Sequence, residues 1–238
     1  MNDRFYKFPT TPHLLTTANS TVREDKVLSQ KERDDLLQHE LLVEEKMDGA
    51  NLGISFDSLG KLRVQNRGEY LSVPYLGQWK ALPGWLAFKS DSLFDHLNDQ
   101  FILFGEWCYA QHSTFYDRLP DWFLGFDILD KNSLKFLSWA RRHELCSSMA
   151  ISEVPFIKKG YFTLSELEAL LANSCFGDKP AEGIYLRVDD GEWTKQRAKL
   201  VRQEFIQIIE KHWSQKPITP NKLEEAPCSL VTETSGAN

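Results

Sequence analysis

The sequence predicts an α+β fold built mainly from antiparallel β-sheets with flanking helices. Short strand-like runs dominate the chain, and helical segments are interspersed irregularly among them instead of alternating with each strand. Several neighbouring strands are joined by only a few turn-forming residues, which favours antiparallel pairing. With 238 residues, 42% of them hydrophobic, the chain is long enough for one large domain, or one domain with a small appendage.

The N-terminal half of the chain is expected to begin irregularly and then to form strands. Residues 1–20 are polar and contain Pro9 and Pro12, so an extended lead-in is expected there. The charged residues 23–39 predict a loop or a short solvated helix, and apolar groups at helical spacing predict a helix over residues 85–98. Apolar runs between turn signals predict strands over residues 41–46, 51–56 and 62–66.

The C-terminal half is expected to contain buried strands and two capped helices. Ser138 is expected to cap a helix that runs to about Met149. Thr163 and Glu166 form a capping-box pattern, which predicts the start of a helix that runs to about Asn173. Strands are predicted over residues 100–109, 122–129, 154–158, 182–188 and 193–201.

The last quarter of the chain predicts a hairpin, a closing helix and a tail. Asp189-Asp190-Gly191 separates the last two predicted strands, so these strands are expected to pair as a hairpin. Residues 202–213 suit a closing helix. From Ser214 onward the chain is rich in Pro, Ser, Thr and Glu, which predicts a flexible tail. The expected organisation is therefore one domain over residues 1–213 and a flexible tail over residues 214–238.

Composition excludes several classes of protein. The formal net charge of −6 argues against a non-specific nucleic-acid coat protein. The four cysteines are widely spaced and include no Cys-x-x-Cys pair, so neither a zinc site nor a disulfide framework is indicated. The first residues form no apolar signal region, and no apolar run has membrane-spanning length. A cytoplasmic protein with reduced thiols and no membrane partner is expected.

The most informative stretch is the segment from Glu45 to Asn51. Lys46 lies between acidic residues, and Asp48 and Gly49 follow it closely, with strand-like runs on both sides. Taken alone, this stretch has a simple alternative interpretation as a charged hairpin turn. Its meaning depends on other segments of the chain, which stand out in this order: Glu45-Lys46-Met47-Asp48-Gly49-Ala50-Asn51, Asn66-Arg67-Gly68, Phe104-Gly105-Glu106-Trp107, Phe126-Asp127-Ile128, and Glu182-Gly183-Ile184-Tyr185 with Arg197-Ala198-Lys199 close behind.

In this order and at this spacing, the segments resemble the covalent nucleotidyltransferase superfamily, which includes ATP-dependent ligases and messenger-RNA capping enzymes. The match is closest to the ATP-dependent RNA ligases of the nick-sealing, RNA ligase 2-like branch, and it spans residues 40–205. Each motif is weak alone, whereas the ordered set is specific. The resemblance implies a nucleotidyltransferase (adenylyltransferase) domain similar to the ATP-grasp-like ligase catalytic core.

The resemblance implies that Lys46 attacks the α-phosphorus of ATP and forms a lysyl-adenylate. A lysine is a nucleophile only without its proton, and its ordinary pKa is about 10.4, so a neighbouring cation has to favour deprotonation. Lys199, a bound metal ion or both are expected to supply this charge. Lys199 would also contact the α-phosphate as pyrophosphate leaves. Glu45, Asp48 and Gly49 are assigned to the nucleotide-binding turn around Lys46.

Four further residues receive roles from the resemblance. Asn51 is implied to assist at the nick by positioning the 5′-phosphate, and Arg67 to hold phosphate oxygens with its planar guanidinium. Glu106 is implied to contact the ribose hydroxyls, and Phe126 to stack on adenine. The residues themselves leave alternatives open: a surface salt bridge for Arg67, a structural ion pair for Glu106 and a core position for Phe126.

The resemblance also predicts a metal site and a basic motif. Glu182 is the candidate to hold Mg²⁺, or Mn²⁺ in its place, and such an ion needs few carboxylates and several waters. The family usually has Lys-x-Lys where this chain has Arg197 and Lys199, and Lys195 lies two positions earlier. Both Arg197 and Lys199 are expected to contact the nucleotide, and whether Lys195 or Arg197 fills the first basic position stays open. Asp127 is expected to orient the site from behind.

The function expected from the resemblance is that of an ATP-dependent RNA ligase, which forms phosphodiester bonds between 3′-hydroxyl and 5′-phosphate ends. The expected substrate is a nick in duplex RNA or in an RNA/DNA hybrid, as in RNA repair. The expected intermediates are lysyl-AMP and an adenylylated 5′ end. A partner protein that supplies further nucleic-acid binding stays an open alternative.

Several rival functions remain open at this point. A minimal ATP-dependent DNA ligase and a capping guanylyltransferase belong to the same superfamily, but both typically carry an oligonucleotide-binding barrel. The chain after Lys199 is expected to be too short for such a barrel. A small-molecule nucleotidyltransferase would not need Asn51 and Arg67. A non-catalytic nucleic-acid-binding protein with the same fold would not need an intact set of Lys46, Glu106, Glu182 and Lys199.

Overall fold

The computed structural model describes residues 4–15, 27–208 and 218–225. The strands are β1 Leu41–Lys46, β2 Ala50–Phe56, β3 Leu62–Gln65, β4 Phe101–Trp107, β5 Phe123–Asp130, β6 Lys135–Phe136, β7 Phe156–Gly160, β8 Gly183–Asp190 and β9 Trp193–Val201. The helices are α1 Gln30–Leu37, α2 Leu82–Leu97, α3 Trp139–Ser148, α4 Leu164–Ala169 and α5 Gln203–Ile208, with a 3₁₀ turn over Gly77–Trp79. In these ranges no helix is long and apolar enough to cross a bilayer.

The predicted α+β class is confirmed, because two antiparallel sheets carry most of the ordered chain. The first sheet has four strands in the order β7-β1-β8-β9, and the second has five in the order β3-β2-β4-β5-β6. The predicted hairpin of β8 and β9 forms, with Gly191 in the left-handed region at φ 57°. The two-residue strand β6 escaped the sequence analysis because it is too short to show a period.

Helix α4 ends earlier than the sequence predicts. Its capping box forms as expected, since the Thr163 side chain accepts from the Glu166 amide and the Glu166 carboxylate accepts from the Thr163 amide. The helix nevertheless ends at Ala169 instead of about Asn173. The following residues enter a turn in which Ser174 donates its amide to the Lys179 carbonyl at 2.9 Å. This tertiary turn overrides the local helical preference.

The first sheet has one apolar face and one polar face, because successive side chains of a strand point to opposite sides. The apolar face carries Val43, Leu186 and Leu200, and it packs against Leu36 of α1 and Leu167 of α4. The polar face follows from the strand register. Glu44 of β1 lies opposite Tyr185 of β8, which lies opposite Lys199 of β9. This face turns toward the second sheet.

The second sheet uses its apolar face to build the largest core cluster. Leu52 and Leu103 lie in this cluster with Leu86 and Leu93 of α2, and Trp107 is buried beside them. The predicted strands that supply these residues match the structure within two residues at each end. Burial of these aliphatic and aromatic groups stabilises the packing of β4 and β5, the strands that carry Glu106 and Phe126.

The segment from Met47 to Gly49 crosses from one sheet to the other. Strand β1 pairs with β7 and β8, whereas β2 pairs with β3 and β4. The alternative interpretation of this stretch as a charged hairpin turn is therefore wrong. Lys46, the last residue of β1, lies where the two sheets meet.

The N-terminal residues add an extended segment to the edge of the first sheet. Leu14 donates its amide to the Lys199 carbonyl at 2.8 Å, and the Lys199 amide donates to the Pro12 carbonyl at 2.9 Å. The extended lead-in that the prolines predict is present over residues 4–15, although its contact with β9 carried no local signal. Residues 16–20 of that prediction lie outside the described residues.

Part of the expected C-terminal tail is docked on the domain. Residues 218–225 form bridges with Ala110 and Leu119, and Asn221 is 3% exposed. A flexible tail is therefore the wrong description for residues 218–225, since tertiary hydrogen bonds outweigh their polar composition. The other residues of the predicted tail, and of the closing helix after Ile208, lie outside the described residues.

A network of buried charges connects the two sheets with α3. Arg142 donates to both carboxylate oxygens of Glu44, at 2.5 and 3.2 Å. Arg187 forms a salt bridge with Asp127 Oδ1 at 2.7 Å, and Arg197 donates to Asp127 Oδ2 at 2.7 Å. Because each buried charge has an opposite partner within hydrogen-bond distance, the network can exist away from water.

Candidate active site

The two sheets enclose an open cavity of about 590 Å³ whose lining mixes charged and aromatic side chains. A volume of this size is typical of small-molecule and nucleotide sites. The cavity brings together most of the residues that the sequence analysis assigned to the site: Glu45, Lys46, Asp48, Gly49, Asn51, Arg67, Glu106, Phe126, Glu182 and Lys199. Arg197 is the exception, because it does not belong to the lining.

Lys46 is held as a charged group by the carboxylates around it. Its Nζ donates to Glu182 Oε2 at 2.5 Å and to the Met47 carbonyl at 3.4 Å. Burial alone lowers the pKa of Lys46, but Glu182, Glu106 and Asp48 together raise it above the ordinary value. The sequence analysis expected a neighbouring cation to lower this pKa. The effect of the carboxylates on the pKa of Lys46 exceeds that of burial, so the amine keeps its proton.

Glu106 is a buried carboxylate of the cavity with a raised pKa. Its Oε1 accepts the Gly49 amide at 3.0 Å. Burial raises the pKa of Glu106 to about 7; Lys46 opposes this effect, and Glu182 and Asp48 add to it. The alternative of a structural ion pair does not describe Glu106, because its hydrogen bond goes to a backbone amide. At neutral pH this carboxyl group titrates, so it can both donate and accept a hydrogen bond.

Glu106→Gln is expected to raise the free energy of unfolding by about 1–3 kcal/mol above pH 7, because the site no longer contains an ionised carboxylate that burial disfavours. The pKa of Glu106 is higher in the folded protein than in the unfolded chain. Its ionisation therefore costs stability progressively as the pH rises from about 4.5 to about 7. Urea unfolding at pH 5 and pH 8 measures the effect, which should be larger at pH 8.

The control for this change is Glu168→Gln, which alters an exposed glutamate of α4 and should leave stability nearly unchanged at both pH values. A loss of stability in Glu106→Gln at pH 8, or an equal gain at pH 5 and pH 8, would contradict the titration of Glu106.

Asp48 and Gly49 fix the backbone after Lys46. Asp48 Oδ2 accepts the amides of Ser113 and Thr114 at 2.7 and 2.8 Å, and the Asp48 amide donates to the Tyr116 hydroxyl at 2.8 Å. A Cβ at Gly49 would lie 2.7 Å from the Trp107 carbonyl oxygen. The sequence predicts Gly49 as part of the nucleotide-binding turn, where a glycine lets the backbone approach a ligand. The structure adds a second reason, which is close approach to the end of β4.

Asn51 and Arg67 lie on the side of the cavity formed by the second sheet. Asn51 of β2 is directly opposite Glu106 of β4, and its buried Oδ1 has no hydrogen-bond partner among the residues that the structure describes. Asn66 accepts the amides of Gly68 and Glu69 at 2.7 and 2.9 Å, which shapes the turn that carries Arg67. Arg67 is exposed and forms no salt bridge with any part of the chain that the structure describes. The surface salt bridge considered for Arg67 is therefore not formed among those residues.

Aromatic side chains form another part of the lining. Phe126 contacts Phe8 edge to face, with ring centroids 5.3 Å apart, and Tyr185 lies on the polar face of the first sheet. Thr11 lies beside Tyr185, with the two hydroxyl oxygens 3.4 Å apart. The sequence analysis missed Phe8 and Thr11, which belong to the N-terminal segment. No role was predicted for Tyr185. The predicted pairing of β8 with β9, which places Tyr185 opposite Lys199, could have indicated that it belongs to the site.

The two basic residues of the last motif have different environments. Lys199 lines the cavity. The Arg197 guanidinium binds Asp127 and lies 4.0 Å from the centroid of the Phe136 ring. Lys195 is exposed and also lies outside the lining. Neither candidate for the first basic position therefore reaches the cavity in this conformation, and Arg197 instead supports the strand that carries Phe126.

The donor groups of the cavity suit a divalent cation that keeps part of its water shell. In the described ranges, no group of three or more His, Cys, Asp or Glu side chains is arranged to hold a metal ion alone. Mg²⁺ and Mn²⁺ sites that use substrate phosphates need only one or two carboxylates. Within the described part of the chain, Glu182 pairs directly with Lys46, and the buried Oε1 of Glu45 has no hydrogen-bond partner. These residues fit such an ion.

A family model described as RNA ligase matches residues 39–201 of the chain. Among similar solved structures is an apo variant of a Naegleria gruberi RNA ligase, with a TM-score of 0.61 and 16% identity over 87% of this chain and 58% of that chain. A second variant, solved with ATP and Mn, gives a TM-score of 0.60 and 16% identity over 84% of this chain and 59% of that one.

The Naegleria gruberi enzyme solved with pyrophosphate gives a TM-score of 0.59 and 16% identity over 90% of this chain and 64% of that one. At these identities the likeness shows a shared fold, and the chain spans 58–64% of the length of these solved chains. A comparison with curated protein sequences found no match.

Proposed function

The chain belongs to the RNA ligase family, and on this premise we propose that it joins RNA 3′-hydroxyl and 5′-phosphate ends with ATP, through a covalent AMP on Lys46. The observation that carries the proposal is the position of Lys46. Its amine lies in one cavity with phosphate-binding cations (Lys199 and Arg67) and with the buried carboxylates Glu106 and Glu182. A lysine in such a setting is suited to attack a nucleotide phosphate.

The ligands of similar structures support ATP and a divalent metal ion as the cofactors. Naegleria gruberi RNA ligase is described with ATP and Mn, with AMP and Mn, and with pyrophosphate. Pyrophosphate and AMP are the two parts of ATP that self-adenylylation separates. The proposal extends these ligands to this chain because Glu182 and Glu45 offer the oxygen donors that Mg²⁺ and Mn²⁺ prefer.

In the first step, Lys46 Nζ attacks the α-phosphorus of ATP. The N–P bond forms, the bond to the bridging oxygen breaks, and pyrophosphate leaves with the electron pair. A metal ion bound at Glu182 would supply positive charge to the phosphates and would compete with Lys46 for that carboxylate. The ion pair between Lys46 and Glu182 is the largest influence that raises the pKa of Lys46. If that pair is broken, the pKa of Lys46 falls and its proton can pass to solvent before attack. Lys199 stabilises the charge that develops on the phosphate oxygens.

The remaining residues of the cavity bind the nucleoside. Phe126 and Tyr185 present aromatic faces on which a base can stack, and Phe8 closes the edge of Phe126. Glu106 is positioned to accept hydrogen bonds from ribose hydroxyls. Arg197 acts from outside the cavity, because it fixes Asp127 on the strand that carries Phe126.

In the second step, an oxygen of the RNA 5′-phosphate attacks the phosphorus of the lysyl-AMP. The N–P bond breaks, Lys46 recovers its electron pair, and a diphosphate links AMP to the RNA end. Arg67 and Asn51 line the cavity, and the proposal assigns them to the 5′-phosphate of the RNA. In the third step the 3′-hydroxyl loses its proton and attacks the 5′-phosphate, so the phosphodiester forms and AMP leaves.

A panel of four nicked duplexes tests the substrate. The strands on the two sides of the nick are RNA or DNA in each combination, and all other features are the same. We expect the nick with RNA on both sides to be sealed at least about tenfold faster than the all-DNA nick, since a site that reads 2′-hydroxyl groups rejects strands that lack them. Gel separation of sealed and unsealed strands under single-turnover conditions measures these rates.

Lys46→Ala is the control for contaminating ligases in this panel and should seal none of the four duplexes. Faster sealing of the all-DNA nick than of the all-RNA nick would replace the proposal with a DNA ligase. Failure to seal any duplex, while the protein still becomes adenylylated, would point to a different acceptor of AMP.

A further inference from the structure

Residues 218–225 form a C-terminal clamp on the loop between β4 and β5. The Gln111 amide donates to the Thr219 carbonyl at 2.8 Å, and the Leu119 amide donates to the Lys222 carbonyl at 3.0 Å. Further backbone hydrogen bonds run from the clamp to this loop: Asn221 N to the Tyr109 carbonyl, Lys222 N to the Tyr116 carbonyl, and Glu224 N to the Leu119 carbonyl. The clamp therefore follows the loop along much of its length.

Asn221 is the side chain through which the clamp joins two distant points of that loop. Its Nδ2 donates to the Cys108 carbonyl at 2.8 Å, and its Oδ1 accepts the Tyr116 amide at 2.9 Å. All three residues are buried. The side-chain amide of Asn221 carries both a donor and an acceptor, so it can bind the two partners at once. Both partners are buried backbone groups.

Tyr116 connects the clamp to the segment that follows Lys46. The Tyr116 hydroxyl accepts the Asp48 amide at 2.8 Å, and its ring lies in the same apolar cluster as Met47. The loop binds Asp48 from a second side, since the Ser113 and Thr114 amides donate to the Asp48 carboxylate. Met47 and Asp48 directly follow Lys46. The backbone of Lys46 is therefore restrained from one side by these contacts and from the other side by the pairing of β1.

We propose that Asn221 is a positioning residue for the Lys46 nucleophile, acting through the Tyr116 hydroxyl and the Asp48 backbone. The proposal rests on the proposed lysine adenylylation. The chain of contacts runs from Asn221 to Tyr116 to Asp48, and no member except Asp48 lines the cavity. Because small errors in the position of a reacting atom slow a reaction strongly, loosening this chain should reduce the rate of attack on the α-phosphorus.

The test uses the full chain and measures single-turnover adenylylation with α-labelled ATP over a range of ATP concentrations. Asn221→Ala is expected to lower the maximal rate by about tenfold while the apparent KM for ATP stays within about twofold, since the groups that bind ATP are untouched. Tyr116→Phe should produce a similar loss, because it removes the hydroxyl that accepts the Asp48 amide and keeps the ring. The double variant should have about the same maximal rate as each single variant, because both changes break the same chain of contacts.

Two controls separate positioning from a general loss of stability. Glu225→Ala changes an exposed side chain at the last residue of the clamp and should adenylylate like the wild type. Leu93→Ala removes a fully buried side chain of α2, and it should lower the melting temperature without changing the maximal rate at a temperature where it is folded.

The outcomes distinguish the two proposals. If the wild type and Glu225→Ala adenylylate and Asn221→Ala does so at the same maximal rate, the positioning role is overturned and the proposed function stands. If Leu93→Ala is slowed as much as Asn221→Ala, Asn221 acts only on stability. If the losses of Asn221→Ala and Tyr116→Phe multiply in the double variant, the two residues act independently. Either result overturns the positioning role. If the folded wild type forms no adenylate, the proposed function fails and the positioning role fails with it.

Discussion

Lys46→Ala is expected to reduce covalent labelling of the protein by α-labelled ATP by about 10³-fold or more, because it removes the nitrogen that bonds to the α-phosphorus. The structure strengthens this expectation. Lys46 is the lysine that pairs with Glu182 inside the cavity, and Lys199 is a separate cation of the lining on β9, with β8 between its strand and that of Lys46. Gel electrophoresis after incubation with Mg²⁺ measures the labelling.

Lys195→Ala is the matched control, because it removes a lysine of the same charge from an exposed position outside the cavity. Its labelling should be close to that of the wild type. Asn51→Ala provides a second comparison, since it should still form the adenylate and then seal nicks poorly. Labelling of Lys46→Ala at the wild-type level would show that another residue carries AMP.

Asp127→Asn is expected to lower the free energy of unfolding by about 3–5 kcal/mol, because it leaves the buried Arg187 and the partly buried Arg197 without their shared carboxylate. Asp127 and Arg187 are both 0% exposed, and Asp127 binds Arg187 and Arg197 at 2.7 Å each. Burial raises the pKa of Asp127, but Arg187, Arg197 and Arg142 together hold it below the ordinary value. This contribution is therefore complete above the unfolded pKa of 3.8 and is lost as the pH falls through the lower folded pKa.

Urea unfolding at neutral pH measures the loss. The matched control is Asp178→Asn, which breaks an exposed ion pair with Arg118 and should have no measurable effect. An Asp127→Asn protein that unfolds at the same urea concentration as the wild type would mean that the buried network does not hold the two sheets together. Because Arg142 and Arg187 also donate to the Phe126 carbonyl, weaker ATP binding is expected to accompany the loss of stability.

The sequence predicts the elements of this fold well where the signal is local. The hairpin of β8 and β9 is visible because two apolar runs flank Asp189-Asp190-Gly191, and β4 is visible as an apolar run around Glu106. The crossing between sheets after Lys46 is not visible, because Lys-Met-Asp-Gly has the composition of a hairpin turn. Only the pairing of β1 with β8, more than 130 residues later in the chain, decides between the two.

The candidate site is predictable as a set of residues but not as a network of contacts. Lys199 and Arg197 lie two positions apart on β9, so alternation alone puts both on one face. Asp127, which comes from another sheet, draws Arg197 out of the cavity. Phe8 and Asn221 carried no signal at all, because a lead-in and a polar tail acquire roles only through tertiary contacts.

Peptide mapping by mass spectrometry tests the central claim most directly. The protein is incubated with ATP and Mg²⁺, digested at alkaline pH to preserve a phosphoramidate, and analysed before and after a chase with nicked duplex RNA. We expect one AMP on the peptide that contains Lys46, and we expect the chase to remove it as sealed RNA appears. AMP on a peptide without Lys46, or a folded protein that carries no AMP, would contradict the assignment of Lys46 as the nucleophile.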